Sequence, residues 1–141
     1  KLYLMQPKRI DMKRVSELLQ QRCPFILFAF FAGMDEDGKM KYPENLDLSV
    51  YTGSDTQSWS AIEKILPVMT LVSPEVFCEV TILNLAGTGT RFYALTGHCL
   101  FIKKGQEYFY REFDRKTNLD YRILRAHERR RGIVCNDVIL H

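Results

Sequence analysis

The chain has 141 residues and a mass of 16.5 kDa, of which 46% are hydrophobic and 26% charged. That composition is ordinary for a globular protein and excludes a disordered chain; a chain this long buries roughly two-thirds of its unfolded surface. Twenty basic against seventeen acidic residues leave +3, too mild a balance to imply nucleic-acid binding by charge alone. The longest apolar run, residues 25–34, is half of the ~20 residues a membrane span needs. No secretory leader is expected, and one domain is expected over 1–141. Cys23, Cys78, Cys99 and Cys135 are widely spaced without a C-x-x-C pair, and three of them have apolar neighbours. Free thiols in a reducing cytoplasm are the expectation, not disulfides or zinc ligands.

Residues 11–22 place Val15, Leu18 and Leu19 at helical spacing behind Asp11, a natural N-cap, which predicts a helix ended by Cys23-Pro24. Residues 25–32 (FILFAFFA) are short, β-favouring and apolar on both faces, the pattern of a central strand. Residues 34–44, with Asp37-Gly38 and Pro43, read as a turn or hairpin tip. Residues 45–52 alternate: Leu46, Leu48 and Val50 against Asn45, Asp47 and Ser49. This is a half-buried strand with one polar face.

A loop at 53–57 offers Asp55 or Thr56 as a cap for a helix over 58–66, expected to stop at Pro67. Residues 76–83 form a further strand with Glu79 and Thr81 on one face and Cys78, Val80 and Ile82 on the other. The glycine-rich stretch 86–90 lacks both the Rossmann and the P-loop spacing, so it reads as a tight turn into a short helix over 91–96. Residues 98–103 form an edge strand, and about 106–130 a long helix with Tyr110, Phe113, Tyr121 and Leu124 near one face. The tail from Gly132 gives no pattern. The alternation predicts an α/β or α+β domain, a mixed sheet of about four or five strands backed by helices on one side.

The chemical signal is a carboxylate on the polar face of each of two strands, Asp47 and Glu79. If the strands are neighbours, both acids converge, and oxygen ligands so placed suit Mg²⁺. Solvated strand faces are the plainer account of two such residues.

The order of segments adds to this. The apolar strand over 26–32, Asn45-Leu46-Asp47-Leu48, and the stretch Glu79-Val80-Thr81-Ile82-Leu83-Asn84 carry a resemblance. So do Thr96 to Phe101 and the start of the final helix, Tyr108 to Tyr121. Over about 25–125 the chain resembles the minimal nucleotidyltransferases (MNT) of the polymerase β-like superfamily. The resemblance implies a nucleotidyltransferase-like fold. It also implies NTP-dependent transfer of a nucleoside monophosphate to a hydroxyl, with Mg²⁺ held by acids. In the family a Gly-Ser pair cradles the triphosphate, an Asp-x-Asp holds two Mg²⁺ ions, and a third acid completes the site.

Carried onto this chain, the resemblance puts Asp47 and Glu79 in the catalytic, metal-holding positions and Asn45 at the first metal position. The phosphate cradle falls on Ala29 and Phe30. Alanine's Cβ obstructs a phosphate's approach, and phenylalanine offers no hydroxyl. An asparagine amide carries no charge to balance a second cation. The expectation is a degenerate, antitoxin-like member with weak or lost transfer. It would bind a helical HEPN-type partner, take NTP if any activity survives, and form no membrane contact; an oligomer is compatible with the chain. The alternatives are an active nucleotidyltransferase and a basic nucleic-acid-binding module using Arg122, Arg125, Arg129, Arg130 and Arg131. The acids interspersed along that helix favour a solvated face over a nucleic-acid patch; a docking surface for an acidic protein is a third account of the same arginines.

Overall fold

The computed structural model describes residues 10–32 and 45–132. The expected turn at 34–44, Cys135 and the tail beyond Gly132 lie outside them. Four helices and four strands follow one another, with one short 3₁₀ turn: α1 (Met12–Arg22), β1 (Ile26–Ala32), β2 (Asn45–Thr52), α2 (Ser58–Val72), β3 (Phe77–Ile82), a 3₁₀ turn (Leu83–Leu85), α3 (Thr88–Leu95), β4 (His98–Ile102) and α4 (Glu107–Arg130). The sheet order is β3-β2-β1-β4. β1 pairs antiparallel with both β2 and β4, and β2 pairs parallel with β3. The mixed sheet and the central place of β1 are as its sequence predicts.

The helices do not back one side. α1 and α2 cover one face, where Val15, Leu19, Ile65 and Met69 meet Ala29, Phe31, Leu46, Leu48 and Val50. α3 and α4 cover part of the other, where Ala94 and Phe113 meet Phe28, Phe30 and Leu83. The reason lies in β1. Six of its seven residues are buried, so both of its faces need an apolar cover.

Local chemistry sets the ends. The Asp11 carboxylate accepts from Arg14 N at 3.1 Å and caps α1. Neither Asp55 nor Thr56 caps α2; Gln57 holds that position with no side-chain bond. Pro67 does not end α2, which runs on to Val72. Pro67 and Glu63, one turn before it, are both exposed, so the carbonyl that loses its partner faces water. Val68 and Met69 beyond it are buried and offset the lost bond. α3 begins at Thr88, within the glycine-rich stretch read as a turn. Gly97, between α3 and β4, lies against the Phe31 carbonyl, where any Cβ would collide.

A polar clamp holds the end of β2 to the 3₁₀ turn. Asn84 Oδ1 accepts from Thr52 N at 2.9 Å, and Asn84 Nδ2 donates to Thr52 O at 2.8 Å. Arg91 donates to Leu83 O and Asn84 O, both at 3.0 Å, and lays its guanidinium over Tyr51 and Phe113. Thr52 is buried, so removing the amide leaves two backbone groups unpaired. Asn84→Ala is expected to lose about 1–3 kcal/mol in urea unfolding, with the slope unchanged; a loss within experimental error would remove the clamp from the account.

Candidate functional site

β2 and β3 run parallel and in register, and Asp47 pairs with Glu79. Leu46, Leu48 and Val50 on β2 face the α1–α2 core, as do Cys78, Val80 and Ile82 on β3. Alternation therefore turns Asp47 and Glu79 to the opposite face, side by side on strands about 4.8 Å apart. Ser49 and Thr81, the next register pair on that face, add two hydroxyls. Asp47 is half-buried and Glu79 exposed. The strands bring together the two acids that the sequence singles out.

Two like charges in so small a space repel. Burial, and then the neighbouring Glu79 charge, hold the Asp47 carboxyl above its ordinary value. Burial pushes the Cys78 thiol up to about 12, with Asp47 and Glu79 adding to it. Burial also raises Cys23 and Cys99. Among the described residues the three cysteines are free, Cys23 buried and the other two partly so, and none is activated.

The cradle positions lie on the adjacent strand, and neither is open. Ala29 is fully buried against the α1–α2 core. Phe30 points to the same face as Asp47, opposite Ser49 in register, with 1% of its surface exposed. Its ring centroid lies 5.9 Å from both Phe28 and Tyr110. Phe28 in turn contacts Tyr51, Phe109, Tyr110 and Phe113 at 5.1–6.0 Å. The first half of α4 thus roofs this end of the sheet with aromatic rings. Tyr110 and Phe113, which the sequence places on one face of the helix, pack here, Phe113 buried and Tyr110 partly so; Tyr51 joins them because it continues the alternation Asp47, Ser49. Arg91 left no sequence signal, because its role depends on carbonyls that only the folded turn presents.

Asn45 opens β2 opposite Phe77, at the same end as the acids. Among the described residues no three of His, Cys, Asp and Glu cluster as a metal site would require. Two carboxylates beside two hydroxyls fit one divalent cation that keeps most of its water; they do not supply the charge for two. His98 is exposed at the start of β4, next to a partly buried Cys99. No helix among the described residues is long and apolar enough to cross a membrane.

This arrangement of strands and helices recurs in solved structures. A chain in the crystal structure of the toxin–antitoxin MntA–HepT aligns with a TM-score of 0.61 at 15% identity, covering 84% of this chain and 90% of that one. The structure of the toxin–antitoxin with AMP-PNP gives 0.65 at 16%, covering 85% and 94%. The tri-AMPylated Shewanella oneidensis HEPN toxin in complex with MNT antitoxin gives 0.60 at 15%, covering 84% and 89%. The chain has the minimal-nucleotidyltransferase fold. No protein-family model matches it, and no curated protein matches it in sequence.

The carboxylate pair has a pH signature. A carboxyl whose folded-state value is raised binds a proton more readily folded than unfolded. Stability therefore falls as pH rises from the unfolded value, about 3.9, through the folded one. Asp47→Asn removes that penalty. The variant is expected to melt higher than the wild type at pH 7, and the gap to close as pH falls below about 4. Equal melting temperatures at both pH values would remove the repulsion from the account.

Proposed function

We propose that this chain is a partner-binding protein on a minimal-nucleotidyltransferase fold, with nucleotidyl transfer weak or lost. The observation that carries the reading is the burial of Phe30. Where the resemblance calls for a small, hydroxyl-bearing phosphate cradle, this chain has a ring packed under α4 with 1% of its surface exposed. An NTP seated there would have to displace that ring and leave its neighbours without contacts. The uncharged Asn45 supports the same reading, since it leaves two carboxylates for the metal site. Losing one electrostatic contact to a developing charge costs about 3 kcal/mol in other enzymes, and here two kinds are missing.

The partner we infer is a helical HEPN-type protein. The support is the fold's recurrence in structures described as toxin–antitoxin complexes, one of them with an AMPylated HEPN toxin. An antitoxin-like role in the cytoplasm follows from that reading, in keeping with the free thiols.

A second reading is an active nucleotidyltransferase, transferring NMP from NTP to a hydroxyl of a protein or small molecule and releasing pyrophosphate. The alignment of Asp47 with Glu79 favours it. A Mg²⁺ ion held by these two residues would supply positive charge to the phosphates. Glu79 is the more exposed of the two and would be the group to orient an acceptor hydroxyl or take its proton.

Calorimetric titration with Mg²⁺-ATP, run on the wild type and on Asp47→Ala, separates the readings. The proposal expects no binding heat, no rise in melting temperature and no pyrophosphate. It also expects a stable complex with a HEPN-type protein encoded beside the chain. Binding at a hundred times Kd would add about 2.7 kcal/mol. That rise, with pyrophosphate release lost in Asp47→Ala, would overturn the inactive reading. Failure to form the complex in size-exclusion chromatography would overturn the partner.

A further inference from the structure

α4 is longer than the surface it covers. Twenty-four helical residues span about 36 Å, and its buried residues are Phe113 and Thr117. Tyr121 stacks flat on Phe92 of α3, with centroids 3.7 Å apart. Past that contact the helix runs on for more than two turns; Ile123 there is 59% exposed, and Leu119, half a turn before the contact, 42%. Single exposed aliphatic side chains are ordinary, but these two lie one turn apart on the same face of a projecting helix.

The second half of α4 has a seam. Lys116, Leu119, Ile123, Ala126 and Arg130 follow at steps of three, four, three and four, the spacing of the inner positions of a two-helix coil. Beside it Arg115, Arg122 and Arg129 recur every seven residues, all exposed. They form a straight row with steps of about 10.5 Å. Residues 115–132 carry seven cationic side chains against two carboxylates, a net of +5, where the whole chain carries +3. The excess charge of the molecule is thus concentrated on the overhang.

We propose that the outer face of the second half of α4 is a docking surface for an acidic amphipathic helix of another protein. The assignment deepens the partner-binding reading and rests on it. The straight seam fits a second helix laid along it, and the arginine row flanking the seam selects carboxylates at the facing positions. A second copy of this chain is disfavoured in either direction. Antiparallel, the arginine row meets itself; parallel, Lys116 and Arg130 each face their own copy. Nucleic acid would use the arginines and leave Leu119 and Ile123 in water, since phosphates take charge and no aliphatic contact.

The test uses the full chain and two labelled synthetic helices with the same leucine seam, one flanked by glutamates and one by lysines. Fluorescence anisotropy is expected to give binding of the glutamate helix at least about tenfold tighter than the lysine helix. The double variant Arg122→Glu, Arg129→Glu reverses the order, and Ile123→Asp weakens both helices about tenfold. All three residues are exposed, so the variants keep the wild-type melting temperature. Equal binding of the two helices, no binding of the glutamate helix, or an order that the double variant leaves unchanged overturns the proposal. So does a dimer in sedimentation that Ile123→Asp dissolves, or steep salt-dependent retention on single-stranded or duplex nucleic acid lost with the arginines. A HEPN-type protein that binds wild type and variants alike overturns this surface and leaves the partner reading standing. Selective binding of the glutamate helix without a HEPN complex does the reverse.

Discussion

β1 lies in the middle of the sheet, between two antiparallel neighbours, and carries large apolar side chains on both faces. Neither face of such a strand can be given to water without exposing a phenylalanine. Burying one such side chain is worth about 1.5–3 kcal/mol, so both layers of helix follow from this strand. Ala29 and Phe31 call for α1 and α2 below the sheet. Phe28 and Phe30 call for α3 and α4 above it.

The same constraint bears on the chemistry. A cleft for a triphosphate needs backbone that an anion can approach and a face of the sheet open to solvent. In this chain the face above Phe28 and Phe30 is closed by rings from β2 and α4. The closure stops short of Asp47 and Glu79, of which the first is half-buried and the second exposed. Two carboxylates side by side in a partly desolvated setting cost stability, and hydrophobic burial elsewhere carries that cost. Perturbed carboxyls of this kind are found at functional sites and in structural charge networks alike.

Much of this architecture is legible in the chain. The period-two pattern at Asp47 and Glu79 sets which face each acid takes, and parallel pairing in register then makes them neighbours. The two-sided apolarity of β1 announces a central strand. Other features are invisible from one segment at a time. Pro67 reads as a helix stop, yet burial of Val68 and Met69 against the sheet carries the helix past it, a tertiary gain that local propensity does not contain. The helices lie on both sides of the sheet, not one, because strand order, not composition, decides which face each connection crosses. Leu124 falls on the packed face of α4 by periodicity but is more than a third exposed, since the sheet ends before the helix does. Periodicity says which way a residue points; only the fold says whether anything is there to meet it.

That mismatch of lengths links the closed cleft to the overhang. An isolated helix as short as the second half of α4 would be marginal in water, because nucleation costs more than a few turns return. Here nucleation is already done by the anchored half, where Phe109, Tyr110 and Phe113 are held by β1 and β2. Pairs one turn apart, such as Lys116 with Asp120 at 3.4 Å, extend the helix outward. The rings packed over Phe28 and Phe30 therefore hold the projecting turns in shape. A surface ordered in advance loses less entropy on binding than one that must fold at the encounter. The closed face above Phe28 and Phe30 and the order of the projecting turns thus have a single physical origin in the packing of α4 on β1.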